Sequence, residues 1–377
     1  MVIVLDKTPR CLILFENSCG KNTFKTYKFL LDKFLDWCHK DYESFLLVST
    51  KEIEDLLQDY CIFLRKRVDS KEISPNSIPS YFNPIFGFLK VNRVKIDKDS
   101  VIQLFPDKIK LGGHEAITTE QLVSLLNATS EKRDRAIIHF FSATGARPEA
   151  VCLLQLKHLT ELQDSFYKVV LYSEDFKHEM ITFLHSESVK ALKEYFEERE
   201  SNGEKLSSES WVFGVTNNSS WKSESKQLNV NTLENMMDRV WKHSGIKRIK
   251  NGNRYNLAST TSIRKRFDTI LEMNPEVSAG ASQYLMDHTG YLSGMHYRRP
   301  TEAQIFKAYH AVNVELMISN ELRMELQLKQ KDDEIHKRES EKDGRIRELE
   351  KRLENTDKLL TVVLSKLENN HSPLKIL

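Results

Sequence analysis

Four short segments constrain this chain more than anything else in it: Thr144-Gly145-Ala146-Arg147, Ile263-Arg264-Lys265-Arg266-Phe267, Met286-Asp287-His288-Thr289 and Tyr297. Tyr297 follows His288 by nine positions (297 − 288), while Arg147 lies 150 positions upstream of it (297 − 147). Arginine's planar, permanently charged fork matches two non-bridging oxygens of a phosphate, so two such groups can hold a phosphodiester and neutralise the charge that builds up during in-line attack. Histidine can donate a hydrogen bond or handle a proton near neutrality, and a tyrosine hydroxyl can attack phosphorus. For these groups to act together, the fold must bring distant parts of the chain to one point.

The hydrophobic pattern suits such a fold. Tyr27, Leu31, Phe34 and Trp37 step by four, three and three, which predicts an amphipathic helix over 21–40 with Asn22 or Thr23 as its cap. Further helices are predicted from Thr50 to about Arg67 and from about Asn76 to Leu89, with Pro84 expected to kink the latter or start a new one. Pro106, Gly112 and Gly113 then mark a connector. Thr118 to Gln121 reads as a capping box, a helix over about 133–143 ends near Gly145, and Pro148 fits the first turn of the next. Phe166–Tyr172 and Met180–Leu184 are β-branched and aromatic runs joined by a polar turn, the pattern of a β-hairpin. Helical periodicity returns at 186–200, 230–243, 259–272, 276–287 and after Pro300. Beyond about 318, Ile346, Leu349, Leu353, Thr356, Leu360, Val363 and Leu367 form a heptad seam of some three repeats in a highly charged helix.

The segments and their order resemble the tyrosine recombinases, the family of phage-type integrases and chromosome-dimer-resolving recombinases. Thr144-Gly145-Ala146-Arg147 is similar to that family's first arginine box, Thr-Gly-x-Arg, and residues 263–267 to its second, His-x-Leu-Arg-His-x-Phe. Met286-Asp287-His288-Thr289 stands where the family has Leu-Gly-His-Ser, and Tyr297 has the register of its nucleophile. The likeness covers roughly residues 20–312. It implies a mainly α fold with a small β-sheet (α+β), in which a helical core-binding domain that clamps DNA is joined to a catalytic domain. The expected division is an N-terminal extension over 1–19, the core-binding domain over 20–105, a linker over 106–116, the catalytic domain over 117–315, and a charged helix with a short coiled coil over 316–377.

The resemblance also implies roles. Arg147 and Arg264 are the phosphate clamp, His288 assists, Tyr297 is the nucleophile, and a lysine on the hairpin turn protonates the departing 5′ hydroxyl. Lys177 is the best candidate for that lysine and Lys168 a poorer one, as Tyr291 is a poorer choice of nucleophile. Thr261 is a departure, because three positions before Arg264 the family usually has histidine. A hydroxyl can hydrogen-bond a phosphate oxygen but cannot serve as a base near neutral pH. Glu149 stands two after Arg147, where the family tends to have glutamate three after. Type IB topoisomerases use the same catalytic set, and a DNA-binding relic without activity is the other alternative.

Composition sets bounds. The chain of 377 residues is 40% hydrophobic and 29% charged, which suits a soluble intracellular protein of two domains. No apolar run approaches the ~18 residues of a membrane span, and the start lacks a basic leader, so the expected location is cytoplasmic and nucleoid-associated. The five cysteines lack C-x-x-C spacing and read as free thiols. A net charge of +2 does not announce a nucleic-acid partner; the distribution says more, with compact basic clusters at Arg65-Lys66-Arg67, Lys247-Arg248-Ile249-Lys250, Arg254, Arg264-Lys265-Arg266 and Arg298-Arg299, each of which taken alone is more often a solvated face. Candidate DNA contacts are therefore Arg65, Lys66, Arg67, Lys265 and Arg266, with double-stranded DNA the expected partner and a homo-oligomer the expected assembly. No acidic constellation at metal-ligand spacing and no phosphate-binding Gly-rich loop is present, so neither metal nor nucleotide cofactor is expected.

Overall fold

The computed structural model describes residues 8–109, 112–174, 179–215, 225–251, 254–288 and 300–369. The chain divides into two compact units, Met1–Gly112 and Gly113–Leu377. It is mostly α-helical with small antiparallel sheets, the fold class expected from the sequence.

The first unit holds helices α1 (Arg10–Glu16), α2 (Lys21–Trp37), α3 (Tyr42–Leu46), α4 (Thr50–Asp69), α5 (Ile78–Val91) and α6 (Lys98–Ile102). Aromatic rings fill its centre: Phe34 lies edge-on to Tyr60 at 5.0 Å, and Phe82 packs on Phe105 at 4.9 Å. α1 is part of this core and not an extension outside it. Phe15 is buried edge-on against Phe88, and a Cβ on Gly87 would meet its ring at 3.2 Å. α2 begins at Lys21 after Gly20, so neither Asn22 nor Thr23 caps it. Ser49 caps α4 through a bond from Glu52 N. α5 runs through Pro84 without ending, so of the two expected outcomes, a kink or a new start, no new helix starts there. Phe82, Ile85, Phe86, Phe88 and Leu89 are all buried, and their burial along one continuous helix offsets the missing backbone donor.

The second unit is built around a buried helix. Its helices are α7 (Thr119–Asn127), α8 (Lys132–Thr144), α9 (Pro148–Cys152), α10 (Ser186–Ser201), α11 (Val230–His243), α12 (Thr261–Met273), α13 (Ala279–Leu285), α14 (Glu302–Leu316) and α15 (Asn320–Asn369). Every residue of α8 from Ala136 to Thr144 is buried, and α7, α10, α12 and α14 pack round it. Thr118 and Gln121 form the expected capping box of α7.

The hairpin forms as read, with β2 (Tyr167–Leu171) antiparallel to β3 (Met180–Leu184) and Val169 opposite Thr182. β1 (Leu159–Glu161) adds a third strand beside β2, which three residues of sequence could not announce. The strand pairs β4 (Gly214–Val215) with β5 (Lys226–Gln227), and β6 (Lys250–Asn251) with β7 (Arg254–Tyr255), complete the sheets.

Two buried side chains fasten the C-terminal end of α14. The Glu187 carboxylate accepts from Ile318 N at 2.7 Å and Ser319 N at 2.8 Å, which satisfies the backbone between α14 and α15; burial raises its pKa. Arg266 donates to Glu315 O at 2.6 Å and Leu316 O at 3.3 Å, taking up carbonyls that the end of α14 leaves open. Among the described residues no helix is long and apolar enough to cross a membrane.

Candidate active site

The site is organised by two helix ends and one helix start. α8 stops at Gly145, whose backbone is left-handed (φ 57°) and whose N–H bonds Phe141 O at 2.9 Å. A Cβ there would lie 2.5 Å from the Phe267 ring of α12, so only glycine fits, by both conformation and space. The close approach of α8 to α12 delivers Arg147 as the residue capping α9, with Pro148 in the first turn as expected.

α13 ends in a Schellman motif. Asp287 N donates to Tyr284 O at 2.9 Å and His288 N to Gln283 O at 3.0 Å, and Asp287 takes the left-handed conformation (φ 49°) usually filled by glycine. This turn is where the two arginines meet. Arg147 pairs through Nη1 with the Asp287 carboxylate, and its Nη2 lies 3.4 Å from Asp287 O. Arg264, one turn into α12, donates through Nη2 to Met286 O and through Nη1 to Gly145 O at 2.5 Å. One guanidinium therefore binds both helix ends, and the other binds the aspartate at the tip of the second.

The electrostatics follow from this convergence. Burial disfavours the charge of Arg264 and lowers its pKa; the Arg147 guanidinium lowers it further, and the Asp287 carboxylate works the other way. Two cations held close in a half-buried place make a site for an anion, and Asp287 is the anion present. Its carboxylate is only 8% exposed against 42% for the Arg147 side chain. His288 is half-buried immediately after Asp287.

Tyr172, at the end of β2, is a component that sequence reasoning missed. Burial raises its phenol pKa, and the charges of Arg147, Glu149, Asp287 and Arg264 all act on it. In the sequence it is only the last residue of the run Phe166–Tyr172; the structure gives it a left-handed backbone (φ 54°) at the edge of the hairpin turn.

Thr261 is exposed at the first turn of α12, one turn before Arg264. Lys168 is committed to Glu302, Nζ to Oε1 at 3.2 Å. Lys177, Tyr291 and Tyr297 lie outside the described residues. Of the candidate DNA contacts, Lys265, Arg65 and Lys66 are exposed, Arg65 donating to Leu104 O at 2.9 Å, and Arg67 pairs with Glu72 at 2.9 Å.

Arg266 must be withdrawn from that set. It is 6% exposed, its guanidinium is spent on Glu315, Leu316, Thr119 and Ser142, and burial pushes its pKa down to about 10. Residues two apart on a helix point in nearly opposite directions, so Arg264 and Arg266 could not share a face. Among the described residues no group of His, Cys, Asp or Glu is placed to hold a metal ion.

A pair of arginines and a histidine gathered by helix ends, beside a three-stranded sheet in a mostly helical unit, places this chain among the tyrosine recombinases. The profile described as Phage integrase family matches residues 115–304, half of the chain, and the chain belongs to that family. The Tn1549 transposon integrase, solved in complex with transposon right end DNA, is 13% identical with a TM-score of 0.52, over 78% of this chain and 96% of that one. XerH site-specific recombinase bound to its difH substrate is 18% identical, TM-score 0.50, covering 78% and 80%. A lambda integrase dimer bound to a COC′ core site is 13% identical, TM-score 0.50, covering 77% and 75%. At such identities the likeness speaks for the fold. No curated protein sequence matches the chain.

Proposed function

We propose that this protein is a site-specific DNA recombinase of the integrase kind, which cuts and rejoins double-stranded DNA through a 3′-phosphotyrosyl intermediate. The observation that carries the reading is the meeting of Arg147 and Arg264 at the turn that ends in His288. These groups come from segments 117 positions apart (264 − 147), and their shared need is an anion. The DNA seen in the Tn1549, XerH and lambda complexes supports a duplex as the source of that anion.

In the proposed step the scissile phosphate displaces the Asp287 carboxylate and takes hydrogen bonds from both arginines. The Tyr297 oxygen attacks phosphorus in line, its proton passing to His288. A phosphotyrosyl ester forms as the bond from phosphorus to the 5′ oxygen breaks, and Lys177 gives that oxygen the proton it needs to leave as a hydroxyl. The ester conserves the bond energy, so a second strand's 5′ hydroxyl can reverse the step without metal or nucleotide. Lys265, Arg65 and Lys66 are proposed to track the DNA backbone, a sequence-independent contribution. Strand exchange between two duplexes requires several protomers, hence a homo-oligomer acting on DNA in the compartment that holds it.

Nicked duplexes carrying the DNA that flanks the coding sequence test this. The wild type and Tyr291→Phe are expected to form a denaturation-resistant protein–DNA adduct, and Tyr297→Phe is not. An adduct that survives Tyr297→Phe refutes the nucleophile; on a supercoiled plasmid carrying paired sites, relaxed circles without exchange would assign a topoisomerase instead.

A further inference from the structure

α15 is a single helix whose apolar residues face water from Ile346 onward. Ile346, Leu349, Leu353, Leu360 and Val363 are each at least half exposed. An isolated helix does not leave such a stripe in water without cost, because burying each of these side chains removes apolar surface from water. The flanks of the stripe indicate what covers it. With Ile346 at heptad position a, Leu353 and Leu360 also fall at a, while Leu349, Thr356 and Val363 fall at d. The flanking g positions are then Arg345, Arg352 and Leu359, and the flanking e positions are Glu350, Asp357 and Leu364.

We propose that a second copy of this chain packs along α15 in parallel, with its stripe in register. In a parallel pair each g residue faces the e residue five positions further along the partner. That sets Arg345 against the partner's Glu350, Arg352 against the partner's Asp357, and Leu359 against the partner's Leu364, every pair complementary. In an antiparallel pair g faces g and e faces e, which brings arginine near arginine and carboxylate near carboxylate. The charge pattern therefore selects one orientation and one partner, itself. Arg352 also reaches Glu348 within the helix at 2.7 Å, but that pair is exposed and worth little. Upstream, Glu339 and Lys342 occupy a and d, so like charges would face each other there and the paired segment begins near Arg345.

Parallel pairing brings the starts of both α15 helices to the same end of the coil, so two catalytic units are tethered side by side before any DNA is bound. The inference does not depend on the strand-transfer reading, because it is tested without DNA.

Sedimentation of the full chain in low salt tests it. The wild type should associate, and Leu353→Asp/Leu360→Asp should be monomeric. R345E/R352E makes each charged g–e contact repulsive in the parallel pair, so its dissociation constant should rise by ~10-fold or more. Adding E350R/D357R to the same chain should bring it back to within about 3-fold of wild type, although the Arg352–Glu348 contact remains lost. Association into two or four copies carries the proposal alike, since g–e pairing is common to parallel coils. A monomeric wild type, a charge reversal without effect, or a double reversal that fails to restore association would each overturn it.

Discussion

Asp287→Asn should make this protein bind DNA more tightly, although it removes no obstacle of size. In the structure the Asp287 carboxylate holds Arg147, one half of the proposed phosphate clamp, and in the proposed step a phosphodiester has to take its place. Two unit charges ~4 Å apart attract by ~4 kcal/mol at an effective dielectric of ~20. Arg147 is 42% exposed, so water screens the pair and the net worth falls between that of an exposed ion pair and a buried one. A value of roughly 1–2 kcal/mol is reasonable. Since ~1.4 kcal/mol is tenfold, the variant should bind duplex DNA about 5- to 30-fold more tightly.

Asparagine tolerates the left-handed backbone at position 287, so the end of α13 should keep its shape. Fluorescence anisotropy with a labelled duplex at ~0.1 M salt reads the change, and a double-mutant cycle locates it. Arg147→Ala should weaken binding, and Asp287→Asn added to Arg147→Ala should gain much less, because the aspartate competes mainly through its ion pair with that arginine. Unchanged or weaker binding by the single variant would refute the reasoning, as would an undiminished gain without Arg147.

Other perturbations have equally definite outcomes. Gly145→Ala places a methyl carbon 2.5 Å from the Phe267 ring at a φ of +57°, so it should cost about 3 kcal/mol and lower Tm by roughly 10 °C in calorimetry; an unchanged Tm would show that the α8–α12 contact is looser than described. His185 is buried with its pKa pushed down to about 3, far below the 6.5 of an exposed imidazole. The unfolded chain binds the extra proton between those values, so the stability this group contributes is full above pH ~6.5 and is lost as pH falls, by up to ~1.4 kcal/mol per unit. His185→Asn keeps an acceptor for Ser188 N and should flatten the fall in urea midpoint between pH 7 and 5; an equally steep fall would remove His185 as its cause. Thr261→His puts an imidazole on an exposed position one turn before Arg264, and should raise the adduct-forming rate by up to ~10²-fold if proton transfer limits it. An equal rate would mean that another group already does this work.

Much of the fold was legible because it rests on local signals. The capping box at Thr118, the stop at Gly145 followed by Pro148, and the alternation of the hairpin each fix a boundary within a few residues. What was not legible depends on direction in space. Arg264 and Arg266 look like one basic cluster when written in a line, yet helical geometry sends one to the turn at Met286 and the other under the end of α14. Pro84 reads as a kink or a new start, yet one helix continues through it, where tertiary burial of the neighbouring aromatic residues offsets the lost hydrogen bond. Tyr172 gave no motif at all, because its place beside the arginines comes from the pairing of β2 and β3.

Asp287 shows the same limit at the centre of the site. In the sequence it is a departure from a glycine at a turn, and it suggests only a small backbone cost. In the structure the same residue is the counter-ion of Arg147, while the carbonyl before it is the acceptor for Arg264. A glycine there would serve the turn equally well and leave Arg147 without this carboxylate. The aspartate therefore acts on the energy of the DNA-free protein, satisfying a pair of crowded cations that the proposed step hands to a phosphate. With an internal anion present, weak phosphate contacts along arbitrary DNA compete less well for the clamp than a duplex held by additional contacts. On this reading the substitution costs affinity everywhere, and the cost matters least at sites where other residues hold the DNA in place.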